Sequence, residues 1–123
     1  MKRDMDLIRD LLLDLEAREE PRAISIPKLE GYSPQQIAYH LGLLKQAGLI
    51  EAVAIRDRNG AGWLPESITW EGHEFLAAAK DEKHWGKAKR LVKDKGGALT
   101  FEALKTAMTE MTKRAILFAI SAG

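Results

Sequence analysis

The stretch SPQQIAYHLGLLKQAGLI, Ser33 to Ile50, carries its own start and stop signals. Ser33 suits an N-cap, Pro34 suits the first helical position, and Gln36 stands where its side chain completes a capping box. Ile37, Leu41, Leu44 and Ala47 recur at helical spacing, so one face is apolar. Gly48 follows in the position where a left-handed residue stops a helix. The pattern predicts an amphipathic helix over Ser33–Ala47 that runs straight into a strand.

Working outward, Leu49–Arg56 alternates as a strand through Val53 and Ile55. Asp57-Arg58-Asn59-Gly60 has hairpin-turn chemistry, and Trp63–Ile68 returns as a second strand. Pro65 inside that strand predicts an edge or a bulge. Thr69 is placed to cap a further helix, with Phe75, Leu76 and Ala79 on its apolar side. Upstream, Asp4–Glu19 reads as a helix with Met5, Ile8, Leu12 and Leu15 in one stripe, widened by Leu7 and Leu11. Pro21 ends it, and Ala23–Ile26 reads as a short strand. Only Pro27–Tyr32 then remain before Ser33, room for one turn around Lys28–Glu30 and not for a helix.

Downstream, Asp81–Lys95 reads as a basic helix with Trp85, Ala88 and Val92 inward, closed by Gly96-Gly97. Thr100 caps a last helix from Phe101 to about residue 120. There Phe101, Leu104, Met108, Met111, Ala115 and Phe118 form a seam of alternating three- and four-residue steps.

A chain of 123 residues is long enough to bury a core without cross-links, and with no cysteine it has no disulfide or thiolate metal site. That composition, with no signal-peptide pattern and no apolar run of membrane-spanning length, predicts a cytoplasmic protein. The net charge of +1 hides an asymmetry. Residues 1–79 sum to −4, residues 80–95 to +4, and the remainder to +1.

The segment HLGLLKQAGLI, His40–Ile50, resembles the recognition helix of winged-helix proteins, and the hairpin followed by TWEGHEFL resembles the end of such domains. The chain as a whole resembles the bacterial and prophage family known as domain of unknown function 2513. MKRDMDLIRDLLL, GYSPQQIAYHLGLLKQAGLIE and TWEGHEFLAAAKD carry the resemblance, with a weaker match in HWGKAK and GGALTFEALK. It implies a winged-helix-like domain in a bacterial or phage protein and no particular activity. The expected fold is therefore α+β: a winged-helix domain with an abbreviated helper helix over residues 1–80, and a two-helix extension over 81–123.

Gln35, Gln36, Tyr39 and His40 fall on or near the side of the 33–47 helix away from its apolar stripe. Gln can read adenine in a major groove and Tyr can touch phosphate. Arg56 and Arg58 flank the hairpin turn, where Arg suits phosphate or a minor groove. Lys87 and Arg90 belong to the most basic segment, fit for nucleic-acid backbone or an acidic protein patch. Each set also reads as solvated surface, the helix set more readily because Lys45 is the helix's one basic residue. Leu104, Met108, Met111 and Phe118 are the candidate homodimer contacts, or else pack onto the leucine-rich 4–19 helix of the same chain. The histidines lack metal-site spacing, and there is no nucleophile elbow, Walker motif or dinucleotide fingerprint. No enzyme, metal or cofactor is expected. Trp63, Trp70 and Trp85 read as core and hairpin anchors. Two functions follow: a small regulator that binds double-stranded DNA through the 33–47 helix, or a protein-interaction module that uses the same fold without DNA.

Overall fold

A computed structural model describes residues 1–19, 25–58 and 60–122. The chain is α+β, with five helices and one two-stranded antiparallel sheet among these residues. The order is α1 (Met5–Glu16), α2 (Pro34–Gln46), β1 (Ile50–Asp57), β2 (Gly60–Ile68), α3 (Trp70–Ala79), α4 (Glu82–Asp94) and α5 (Phe101–Ala122). Two compact units divide it, Met1–Leu76 and Ala77–Gly123. The first unit, with helices ahead of a hairpin and a helix after it, is compatible with a winged-helix-like domain.

In the first unit α1 buries more apolar side chains than any other element. Met5, Leu7, Ile8, Leu11, Leu12 and Leu15 are all buried, because the widened stripe turns both of its edges inward. Full burial of each such side chain contributes roughly 1.5–3 kcal/mol. Asp4 caps the helix by accepting the Asp6 and Leu7 amides at 2.9 and 3.2 Å. The helix ends at Glu16, three residues short of the expected limit.

α2 matches its signals. Ser33 and Gln36 form the reciprocal capping box, and Gly48 adopts φ +77°. Ile37, Leu41 and Leu44 are buried toward the core, whereas Ala47, expected in the same stripe, is the exposed C-cap where the helix gives way to Gly48. Among the described residues between α1 and α2 there is no helper helix; residues 25–33 include a turn in which the Tyr32 amide reaches the Leu29 carbonyl at 3.4 Å. The strand expected over Ala23–Ile26 lies partly outside the described residues, at 23 and 24. Its described part, Ser25 and Ile26, is not in a strand.

β1 and β2 pair from Ile50↔Ile68 out to Asp57↔Gly60, with a bulge where Glu51 faces Ser67 and Ala52 faces Pro65. The unpaired residue of the bulge is Glu66, next to Pro65, whose missing N–H could not join a regular ladder. β2 begins at Gly60, not at Trp63 as expected. The partners that β1 offers from Ile55 to Asp57 extend the strand through three weak strand formers, Gly60, Ala61 and Gly62.

α3 starts where the Thr69 hydroxyl accepts the Gly72 amide at 3.1 Å and donates to the Gly48 carbonyl at 2.6 Å. Gly72 is buried where a Cβ would meet Ile68 Cγ2 at 2.6 Å and also strike the Leu49 carbonyl. Only glycine lets the start of α3 lie this close to Leu49, the residue that leads into β1.

In the second unit, α4 and α5 pack as a pair. Trp85, Ala88 and Val92 of α4 are buried, as are Leu104, Ala107 and Met108 of α5. Thr100 caps α5 by accepting the Ala103 amide at 3.1 Å. From Thr112 onward every described residue of α5 is exposed.

A candidate binding groove between the second helix and the hairpin

The outer side of α2 is not the open polar face that its sequence suggests. The hairpin leans on it. The Trp63 indole covers Gly42 so closely that a Cβ there would lie 2.8 Å from Nε1, and a Cβ at Gly62 would touch Ala38. Alanine and glycine on α2 thus let β2 approach. Beyond this contact the two elements diverge and enclose a groove of about 880 Å³. Ala38 and Tyr39 of α2 form one wall, and Ala54, Ile55 and Trp63 of the hairpin form the other. Pro27, Leu29 and Tyr32 close one end. The volume falls in the range of sites that bury a small ligand or a few partner side chains.

The expected nucleic-acid residues separate into different roles. Gln35 is exposed at the groove's lip. Gln36 is half-buried, and its Oε1 accepts the Ser33 amide at 2.8 Å, so it is held by the capping box. Tyr39 is 43% exposed and stands edge-on to the His40 ring at 5.6 Å. Arg56 and Arg58 are exposed toward the hairpin end, and neither forms an ion pair with a described side chain. Lys87 and Arg90 are exposed on α4, in the other unit.

His40 corrects the sequence reading, which set it on or near the non-core side. It is 1% exposed. Its Nε2 accepts the Asp4 amide at 2.8 Å, and its Nδ1 lies 2.7 Å from the Gln36 carbonyl. Since an amide can only donate and a carbonyl can only accept, the ring is neutral with its proton on Nδ1. It is a bolt between α1 and α2, not a surface contact.

Trp70 is also corrected. It is 74% exposed and anchors nothing in the core, whereas Trp85 is buried and Trp63 is half-buried on α2. Leu104 and Met108, expected at a dimer contact, are fully buried within the chain. Met111 is half-buried, and Phe118 is 76% exposed.

Electrostatics around the groove are uneven. Lys28 contributes to its lining and is exposed, and the exposed Arg56 lies between the lining residue Ile55 and the turn. Burial raises the Tyr32 phenol above its ordinary pKa, and the carboxylates of Asp4, Asp10 and Asp6 add to this. The phenol therefore stays neutral beside the start of α1. The groove is not legible in the sequence because it needs the hairpin to fold back onto α2. The one available signal was the small-residue spacing Ala38–Gly42 opposite the Gly60–Gly62 run.

Fold and groove together describe a small α+β chain with an apolar cleft, in which no described helix is long and apolar enough to cross a membrane. The chain belongs to the family of hypothetical proteins called domain of unknown function 2513, which it matches over residues 2–98. It is 37% identical over 106 residues to an uncharacterized protein of Haemophilus influenzae (strain ATCC 51907 / DSM 11121 / KW20 / Rd), covering 85% of this chain and 90% of that protein. No solved structure matches it significantly.

Proposed function

We propose that this chain is a winged-helix-like binding module, not an enzyme, and that its groove between α2 and the hairpin takes a segment of a protein partner. The groove itself carries the reading: about 880 Å³ of mostly apolar space sits where a DNA-reading helix would present an open polar face. Groove-reading helices rely on positive charge. α2 has one cation, Lys45, which lies 4.0 Å from Glu51. The partner segment would supply two or three apolar side chains for the cleft. Acidic neighbours on that segment would meet Lys28, Arg56 and Arg58 at its rim.

A second reading has its own support. The exposed Arg56 and Arg58, with Gln35 and Tyr39 exposed on α2, could contact double-stranded DNA as a regulator's wing and helix do. One experiment separates the two. A displayed random peptide library is panned on the protein, and binders are retested against Ala54→Glu, which places a carboxylate in the groove at an exposed strand position. Enrichment of apolar peptides with acidic flanks, lost with Ala54→Glu, supports the protein-partner reading. Failure to enrich any peptide, together with salt-dependent binding of a mixed-sequence duplex that Arg58→Glu abolishes, replaces it with the DNA reading.

A further inference from the structure

The C-terminal half of α5 carries large apolar side chains that nothing in its own unit covers. Ile116, Leu117, Phe118 and Ile120 are 54%, 63%, 76% and 70% exposed. Beside the packed half of the same helix lies a groove of about 610 Å³. Leu91 and Val92 of α4 form one wall, and the stripe Ala103, Ala107, Glu110 and Arg114 of α5 lines the other. At 3.6 residues per turn this stripe continues directly into Leu117 and Phe118. One helix face thus begins with small side chains over a groove, carries an acid and a base in the middle, and ends in bulky apolar residues.

We propose that the second unit pairs with a second copy of the chain through this face, with the two α5 helices antiparallel about a two-fold axis near Thr112. That register sets Glu110 opposite the partner's Arg114 and Arg114 opposite the partner's Glu110. It also sets Leu117 and Phe118 against the partner's Ala107 and Thr106, beside the partner's groove. Large residues meet small ones, each acid meets a base, and both pairings occur twice, as a two-fold interface requires. A parallel pair would put Glu110 against Glu110 and leave the grooves empty. The contact differs from the a/d seam: Leu104 and Met108 are fully buried inside the chain, whereas this face presents the exposed Thr106, Glu110 and Arg114 around a groove floored by the mostly buried Ala107. The present Lys113–Glu110 pair, 3.7 Å apart and largely exposed, is weak enough to rearrange.

Charge reversal tests the register. Size exclusion with light scattering should give the wild type twice the 13.7 kDa chain mass at micromolar concentration. Glu110→Arg places Arg against Arg, and Arg114→Glu places Glu against Glu. Each variant alone should run as a monomer with unchanged helical content by circular dichroism. An equimolar mixture of the two should regain the dimer mass, because the heterodimer restores both opposite pairs. A monomeric wild type overturns the proposal. So do single variants that stay dimeric, or folded single variants that fail to pair when mixed.

Discussion

The backbone N–H of Asp4 donates to His40 Nε2 at 2.8 Å, joining residues 36 apart in sequence. The same Asp4 caps α1 with its carboxylate, so the start of α1 is fixed to the middle of α2 through one residue. That junction aligns the two helices that carry most of the first unit's core. His40→Phe keeps the ring volume but leaves the Asp4 amide without its acceptor. The expected loss is about 1–3 kcal/mol of stability. His40→Gln, whose amide oxygen can reach the same N–H, should lose less. Urea denaturation of the three proteins checks this, and a His40→Phe variant as stable as the wild type contradicts it.

Two buried or half-buried glycines should respond differently to the same added methyl. At Gly72 the methyl meets backbone, the Leu49 carbonyl, which cannot move without displacing the end of α2. At Gly42 it meets the Trp63 indole, a side chain able to rotate away. Gly72→Ala should therefore cost several kcal/mol or prevent folding, while Gly42→Ala should cost about 1–3 kcal/mol, as overpacking does. Gly42→Ala should also shift Trp63 fluorescence. Thermal melts rank the two, and a tolerated Gly72→Ala would show that α3 does not seat as described.

The α4 cap sets a pH dependence. Asp81 Oδ1 accepts the His84 amide at 2.8 Å, and that backbone bond is the main cause holding its carboxyl below the ordinary range. The folded pKa is depressed, so the cap's contribution is present above the unfolded value of about 3.9 and fades as pH falls through the folded one. Acidification should fray the first turn of α4, read as faster exchange at the His84 amide than its neighbours deeper in the helix show. Asp81→Asn keeps an acceptor but cannot titrate, so it should remove the pH dependence. Equal dependence in both proteins would assign it to another group.

Local signals made α2 readable. A cap, a proline, an apolar stripe and a terminal glycine act within one helix, and each survives in the fold. The hairpin was readable in kind but not in extent, because Gly60-Ala61-Gly62 becomes strand only through β1 pairing. His40 and Trp63 were not readable, since their roles depend on partners 36 and 21 residues away. The α5 seam was readable in its spacing but not in its depth. Its spacing is real, but α4 ends before the helix does, so the same stripe is core in its first half and surface in its second. The groove required all of these at once.

Binding of a partner segment between α2 and the hairpin would change the surroundings of the Trp63 side chain. The indole N–H of Trp63, on its wall and over Gly42, is the most direct reporter of occupancy. A ¹⁵N–¹H correlation spectrum is recorded while an acidic, apolar peptide from the displayed library is titrated in, and again with a mixed-sequence DNA duplex. The account predicts a saturable shift of the Trp63 indole peak with the peptide, absent in Ala54→Glu, and little movement with the duplex. An indole peak that ignores the peptide, while the Arg56 and Arg58 amides move with the duplex, contradicts it.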